Sequence, residues 1–173
     1  MNKKDNFIIL GLIILAFIFR MLFEQFNIDW SLTWSYLSLF TIISTYYGIY
    51  SQRQNSDETF DFLMDFKGAA QGGAMFAFGT GLFTYIFYKV INPFFLQNFD
   101  AQRRAEILQS LTDNGETAEN ISKIMENHQN MGEMIYVPGN WSIITIAALT
   151  FLSIFYAFLF AIITKFFPKF VNQ

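Results

Sequence analysis

Apolar residues in this chain are gathered into four long runs separated by polar stretches. The first, Phe7 to Phe23, is broken only by Arg20 near its end. The second (Leu32 to Tyr50), the third (Gly68 to Tyr88) and the fourth (Ser142 to Thr164) hold 19, 21 and 23 residues with no charge. An α-helix rises about 1.5 Å per residue, so roughly 20 residues cross a hydrocarbon core of about 30 Å. In lipid a helix satisfies its own backbone hydrogen bonds, so four runs read as four helices. The first run alone reaches only about 26 Å, and its span is expected to continue past Glu24 to Phe26. The predicted spans are about 7–26, 32–50, 68–90 and 142–164. The expected fold class is an all-α integral membrane protein. It is a four-transmembrane-helix bundle with an extracytoplasmic helical hairpin between spans three and four.

That hairpin is predicted over residues 91–140. Asp100 is expected to cap a helix running through Ala101 to Leu108 and on to Leu111, and Asn114-Gly115 to end it in a turn. Thr117 then caps a second helix with Ile121, Ile124, Met125, Met131 and Ile135 at helical spacing. The hairpin is acidic: Asp100, Glu106, Asp113, Glu116, Glu119, Glu126 and Glu133 face only Arg103, Arg104 and Lys123. The segment Ser51–Lys67 is expected to lie at the membrane surface, leading into span three.

Orientation follows the cations. With the N-terminus in the cytoplasm, the inner segments hold Lys3, Lys4, Arg53, Lys67, Lys165 and Lys169, a modest inward bias. Both termini then lie inside, as four crossings require. Trp30, Trp34, Tyr36, Tyr85, Tyr88, Tyr136 and Trp141 fall near the outer boundary, and Tyr46, Tyr47 and Tyr50 near the inner one, as two headgroup-level belts. Pro93, Pro138 and Pro168 sit just beyond the ends of runs three and four. Lys3 and Lys4 before an apolar run also suit a signal peptide. The stretch Phe19-Arg20-Met21-Leu22-Phe23 offers no small-x-small cleavage site, so an uncleaved anchor is expected.

Composition narrows the function. Of 173 residues, 53% are hydrophobic and 14% charged, where a soluble domain carries roughly 25% charged residues. A net charge of −3 gives no cationic footprint for nucleic acid, and the absence of Cys excludes disulfides, thiolate nucleophiles and Cys-ligated zinc. His128 with Glu126 and Glu133 matches no compact metal-ligand spacing and reads as a solvated helix face, so no metal, cofactor or catalytic residue is expected.

Three sets of residues remain. Gly68, Gly72, Gly73, Ala77 and Gly81 form a line of small side chains in span three, suited to close helix packing. Ser38, Thr41 and Thr45 on span two, Thr80 and Thr84 on span three, and Tyr156 on span four could form a polar face. Arg20 and Glu24, four residues apart, can neutralise each other near the outer boundary. Gln71 is a plausible hydrogen-bond donor to another span. No charge is expected to be buried.

Three stretches carry a family resemblance. These are Phe66-Lys67-Gly68-Ala69-Ala70-Gln71-Gly72-Gly73, in which Phe66, Ala69 and Gly73 stand at the shared positions; Asn92-Pro93-Phe94-Phe95-Leu96; and the Glu-rich hairpin before the last span. In these the chain resembles the short four-span bacterial membrane proteins of domain of unknown function 4199. The resemblance implies an inner-membrane protein and supplies no activity, substrate or catalytic residue. The expected role is a non-enzymatic subunit, scaffold or regulator in the inner (cytoplasmic) membrane. Its partners would be the lipid bilayer and either copies of itself or another membrane protein. The alternative is a small oligomeric transporter or channel using the Gly, Ser and Thr faces of spans two to four.

Overall fold

A computed structural model describes residues 3–26, 31–54 and 61–167; Trp30, Pro168 and Lys169 lie outside them. Among the described residues every regular element is helical. These are α1 (Lys3–Gln25), α2 (Ser31–Gln54), α3 (Phe62–Ile86), a π-helical turn (Phe87–Ile91), α4 (Phe95–Asp113), α5 (Ala118–Ile135) and α6 (Pro138–Phe166). Three of them are long and apolar enough to cross a membrane: Asn6–Gln25, Phe62–Ile91 and Pro138–Phe166. Helix α2 is 24 residues long but falls short on apolarity, because Ser, Thr and Tyr make up half of it.

The helices outrun the predicted boundaries. α2 continues through Arg53, and α3 begins at Phe62 because the Asp61 carboxylate accepts the Met64 N–H at 2.7 Å. The surface segment expected over Ser51–Lys67 is therefore largely helix at both ends. α6 starts at Pro138, a position where the missing N–H of proline costs nothing.

The chain divides into two compact units. The first comprises Met1–Phe83 and Thr145–Gln173. Its main core joins Ile9, Ile13 and Ala16 of α1, Tyr36, Leu37 and Phe40 of α2, Phe76 and Ala77 of α3, and Leu149 of α6. Aromatic edges tie it together, with Phe19 and Phe23 packed edge-on to Tyr36 at 5.6 and 5.3 Å, and Phe40 to Phe76 at 6.4 Å. A second cluster gathers Ile49, Ala69 and Ala157, with Tyr46, Tyr50 and Phe160 against it. Helix α2 is central to this unit: its Thr41, Ser44, Thr45, Ile49 and Ser51 are wholly buried.

The second unit is Thr84–Ile144. The Asn92 N–H reaches back to the Phe87 carbonyl at 2.8 Å, and an aromatic ladder follows. Tyr88 stacks on Phe95 at 5.5 Å, Phe95 on Phe99 at 6.0 Å, and Phe99 meets Tyr136 edge-on at 5.7 Å. The α4–α5 turn is formed as Asn114-Gly115 suggests, with Gly115 at φ +71°. Thr117 Oγ1 accepts the Asn120 N–H at 3.3 Å to begin α5. The expectation for Asp100 is corrected. α4 begins five residues earlier at Phe95, so Asp100 lies inside the helix, buried, with Arg104 at 2.9 Å. It was misread because an Asp before an apolar stripe is the usual start signal, whereas here Phe95 and Phe99 extend the stripe backwards.

Candidate functional site

The first unit contains a buried ion pair that the sequence reading did not anticipate. Arg53, in the last turn of α2, donates Nε to Asp65 Oδ1 at 2.9 Å and Nη2 to Oδ2 at 2.6 Å. Asp65, in the first turn of α3, also accepts the Thr164 hydroxyl of α6 at 2.7 Å. Their exposures of 7%, 2% and 2% make all three buried. One carboxylate thus joins three helices, with both oxygens occupied. The geometry is the fork-to-fork match that guanidinium and carboxylate favour. Each charge also suits the dipole of its own helix, a cation at a C-terminus and an anion at an N-terminus. The expectation of no buried charge is corrected here. The sequence alone places Arg53 among the inner cations and Asp65 in the surface stretch Ser51–Lys67. The available signal was opposite charges on two helix ends joined by a short connection.

Arg20 and Glu24 meet at 2.8 Å, and Arg20 Nη1 also donates to Thr33 Oγ1 of α2 at 3.2 Å. Arg20 is only 9% exposed, so this end of α1 is tied to α2 rather than extended toward water.

The small-residue line of α3 faces two helices. A Cβ at Gly72 would strike the Ser44 carbonyl oxygen and stand 3.0 Å from the Gly48 Cα, and one at Gly68 would stand 2.8 Å from the Gly48 carbonyl oxygen. Gly48, which the sequence reading passed over, supplies the α2 half of this crossing. Its own Cβ would run into the Gly68 carbonyl. Gly73 abuts Ser153 of α6 and Thr45 of α2, Gly81 abuts Ile146 of α6, and Ala77 is wholly buried. Absent side chains let the backbones approach and so increase dispersion contact.

The hydroxyl groups divide by partner. Ser38 and Tyr156 are hydrogen-bonded at 2.7 Å, joining α2 to α6. Thr41 and Thr45 instead donate to carbonyls of their own helix, Leu37 at 2.8 Å and Ile42 at 2.7 Å. Ser153 donates likewise to Thr150 O at 2.8 Å. Thr80 is buried in the first unit, and Thr84 is half-buried in the second.

In the second unit, α4 and α5 enclose a cleft of about 170 Å³ lined in part by Asp100, Arg103, Arg104, His128 and Tyr136. Gly132 brings the helices together, since a Cβ there would enter the Asp100 carboxylate. His128 is half-buried along this cleft, not on a fully solvated face as expected, while Glu126 and Glu133 are exposed. Among the described residues no three His, Asp or Glu side chains converge on a point where a metal ion would sit.

No curated protein and no solved structure is similar to this chain. A family model described as "Protein of unknown function (DUF4199)" matches residues 7–169. Nearly the whole chain, including all the helices that build the ion pair and the glycine crossing, falls within that match, and the protein belongs to the DUF4199 family.

Proposed function

We propose that this protein is a non-enzymatic component of the inner (cytoplasmic) membrane. In this reading it crosses four times with both termini in the cytoplasm, and acts as a small subunit, scaffold or regulator. Helix α2 is the fourth crossing. The observation that carries this reading is the burial of most of the α2 hydroxyl groups: Thr33, Thr41, Ser44, Thr45 and Ser51 are buried within its unit, and the surface left to lipid is mainly apolar, including Leu32 and Leu39 of α2 itself. Outward-facing Phe78, Leu82, Phe151 and Phe155 support the same view, each more than half exposed. Lys67 and Lys165, both exposed, mark the inner side.

The saturation of Thr41, Thr45 and Ser153 by their own helices supports packing over conduction. The α4–α5 hairpin is then the extracytoplasmic element available to a partner. Reporters that are active in only one compartment, fused after Gln173 and inserted at Asn114, test the topology. Opposite compartments are expected. A shared compartment, or release of the chain from membranes without detergent, would overturn the proposal.

A further inference from the structure

The cleft between α4 and α5 has a chemistry unlike that of the hairpin around it. The hairpin as a whole is acidic, yet two of its three cations, Arg103 and Arg104, line this one cleft together with His128. Guanidinium and imidazole groups fill it with N–H donors. The one carboxylate among the lining residues, Asp100, already accepts from Arg104 at 2.9 Å. Asp100 is buried against Gly132, so it anchors the Arg104 guanidinium while leaving that side chain 33% exposed. Arg103 meets Glu106 at 3.4 Å with both side chains more than half exposed, a contact worth at most about 1 kcal/mol. An incoming anion can displace it.

Size limits the ligand. Sites that enclose a whole small molecule measure about 300–1,000 Å³, against about 170 Å³ here. A compact group fits, with anything attached to it left outside the mouth. A phosphate group is compact, negative and rich in acceptor oxygens, and a guanidinium fork can meet two of those oxygens at once. We propose that the α4–α5 cleft binds a phosphate-type oxyanion, gripped by Arg103 and Arg104. A phospholipid headgroup is the source that the surroundings favour. Tyr136, in the cleft wall, stands two residues before the Pro138–Phe166 span and packs on Trp141 at 5.5 Å. Tyr and Trp rings gather at headgroup depth, and basic pockets there hold lipid phosphates. The choice of a lipid source rests on the membrane reading proposed above; the oxyanion site does not.

Calorimetric titration of the full-length protein, in a neutral detergent without phosphate, tests both. The probes are a short-chain phosphatidylglycerol and inorganic phosphate, with the matching diacylglycerol and acetate as controls at equal ionic strength. Phosphatidylglycerol is expected to bind and the controls not to. Arg103→Gln, at an exposed position, should weaken binding about ten-fold. Arg104→Lys keeps a cation beside Asp100 but loses the fork, and should weaken it as well. Lys123→Gln, outside the cleft lining, should leave it unchanged. Inorganic phosphate binding as tightly as the lipid, with the same arginine dependence, supports the site and assigns it to a soluble phosphate. Binding insensitive to both arginine changes, controls that bind equally well, or no binding of either probe would each overturn the inference. Release of the chain from membranes without detergent refutes the lipid source and the membrane reading, and leaves the phosphate titration to decide the site.

Discussion

Replacing Asp65 by Asn keeps the shape of the side chain and removes its charge. Arg53, 7% exposed, would then lose the charge that faces it at 2.6 Å, and one former acceptor position would present N–H groups to Arg53 or Thr164. Breaking a buried pair by removing one partner costs about 3–5 kcal/mol. For a chain of this size that corresponds to a fall in Tm of roughly 6–20 °C. Removing both charges is a different perturbation. Arg53→Leu with Asp65→Leu leaves no uncompensated ion, and apolar replacements of buried pairs are often neutral or stabilising. The double variant should therefore stay within about 1 kcal/mol of the parent, giving a large favourable coupling in the cycle. Thr164→Val removes one hydrogen bond to the carboxylate and should cost about 1.5–3 kcal/mol. Thermal unfolding in mild detergent, followed by tryptophan fluorescence, reads these three variants and the two single Leu changes of the cycle. A Tm for Asp65→Asn within about 2 °C of the parent would refute the reasoning. So would a double variant as unstable as the sum of its single changes.

The glycines give a paired test. Gly48→Ala places a methyl against the Gly68 backbone, which cannot rotate away, and should destabilise by about 1–3 kcal/mol; Gly11→Ala has open space and should stabilise by about 0.5–1 kcal/mol in the same unfolding assay. Gly132→Ala should part α4 from α5 at Asp100. Faster amide hydrogen exchange over 95–135 would register this, with the exchange of 62–83 unchanged.

Several features were legible from residue order alone. Uncharged runs of apolar residues imply helices in lipid because backbone groups have no other partners there. Three of the four runs are helices of spanning length and apolarity. Asn114-Gly115 and Thr117 fixed the hairpin turn and the start of α5, since capping acts through neighbours in sequence. The three-residue chemistry of Arg53, Asp65 and Thr164 was not legible in this way. Its members lie 12 and 99 residues apart, and nothing local distinguishes a buried Asp at a helix start from a solvated one. Likewise Gly68 and Gly72 announced a close approach, but only packing named Gly48 as the surface approached. The pattern of side chains decides which segments become helices, because that depends on each segment and its solvent. Which helix faces which depends on the fit of whole surfaces, and here that fit buried α2, the most polar helix of the first unit, among the apolar ones.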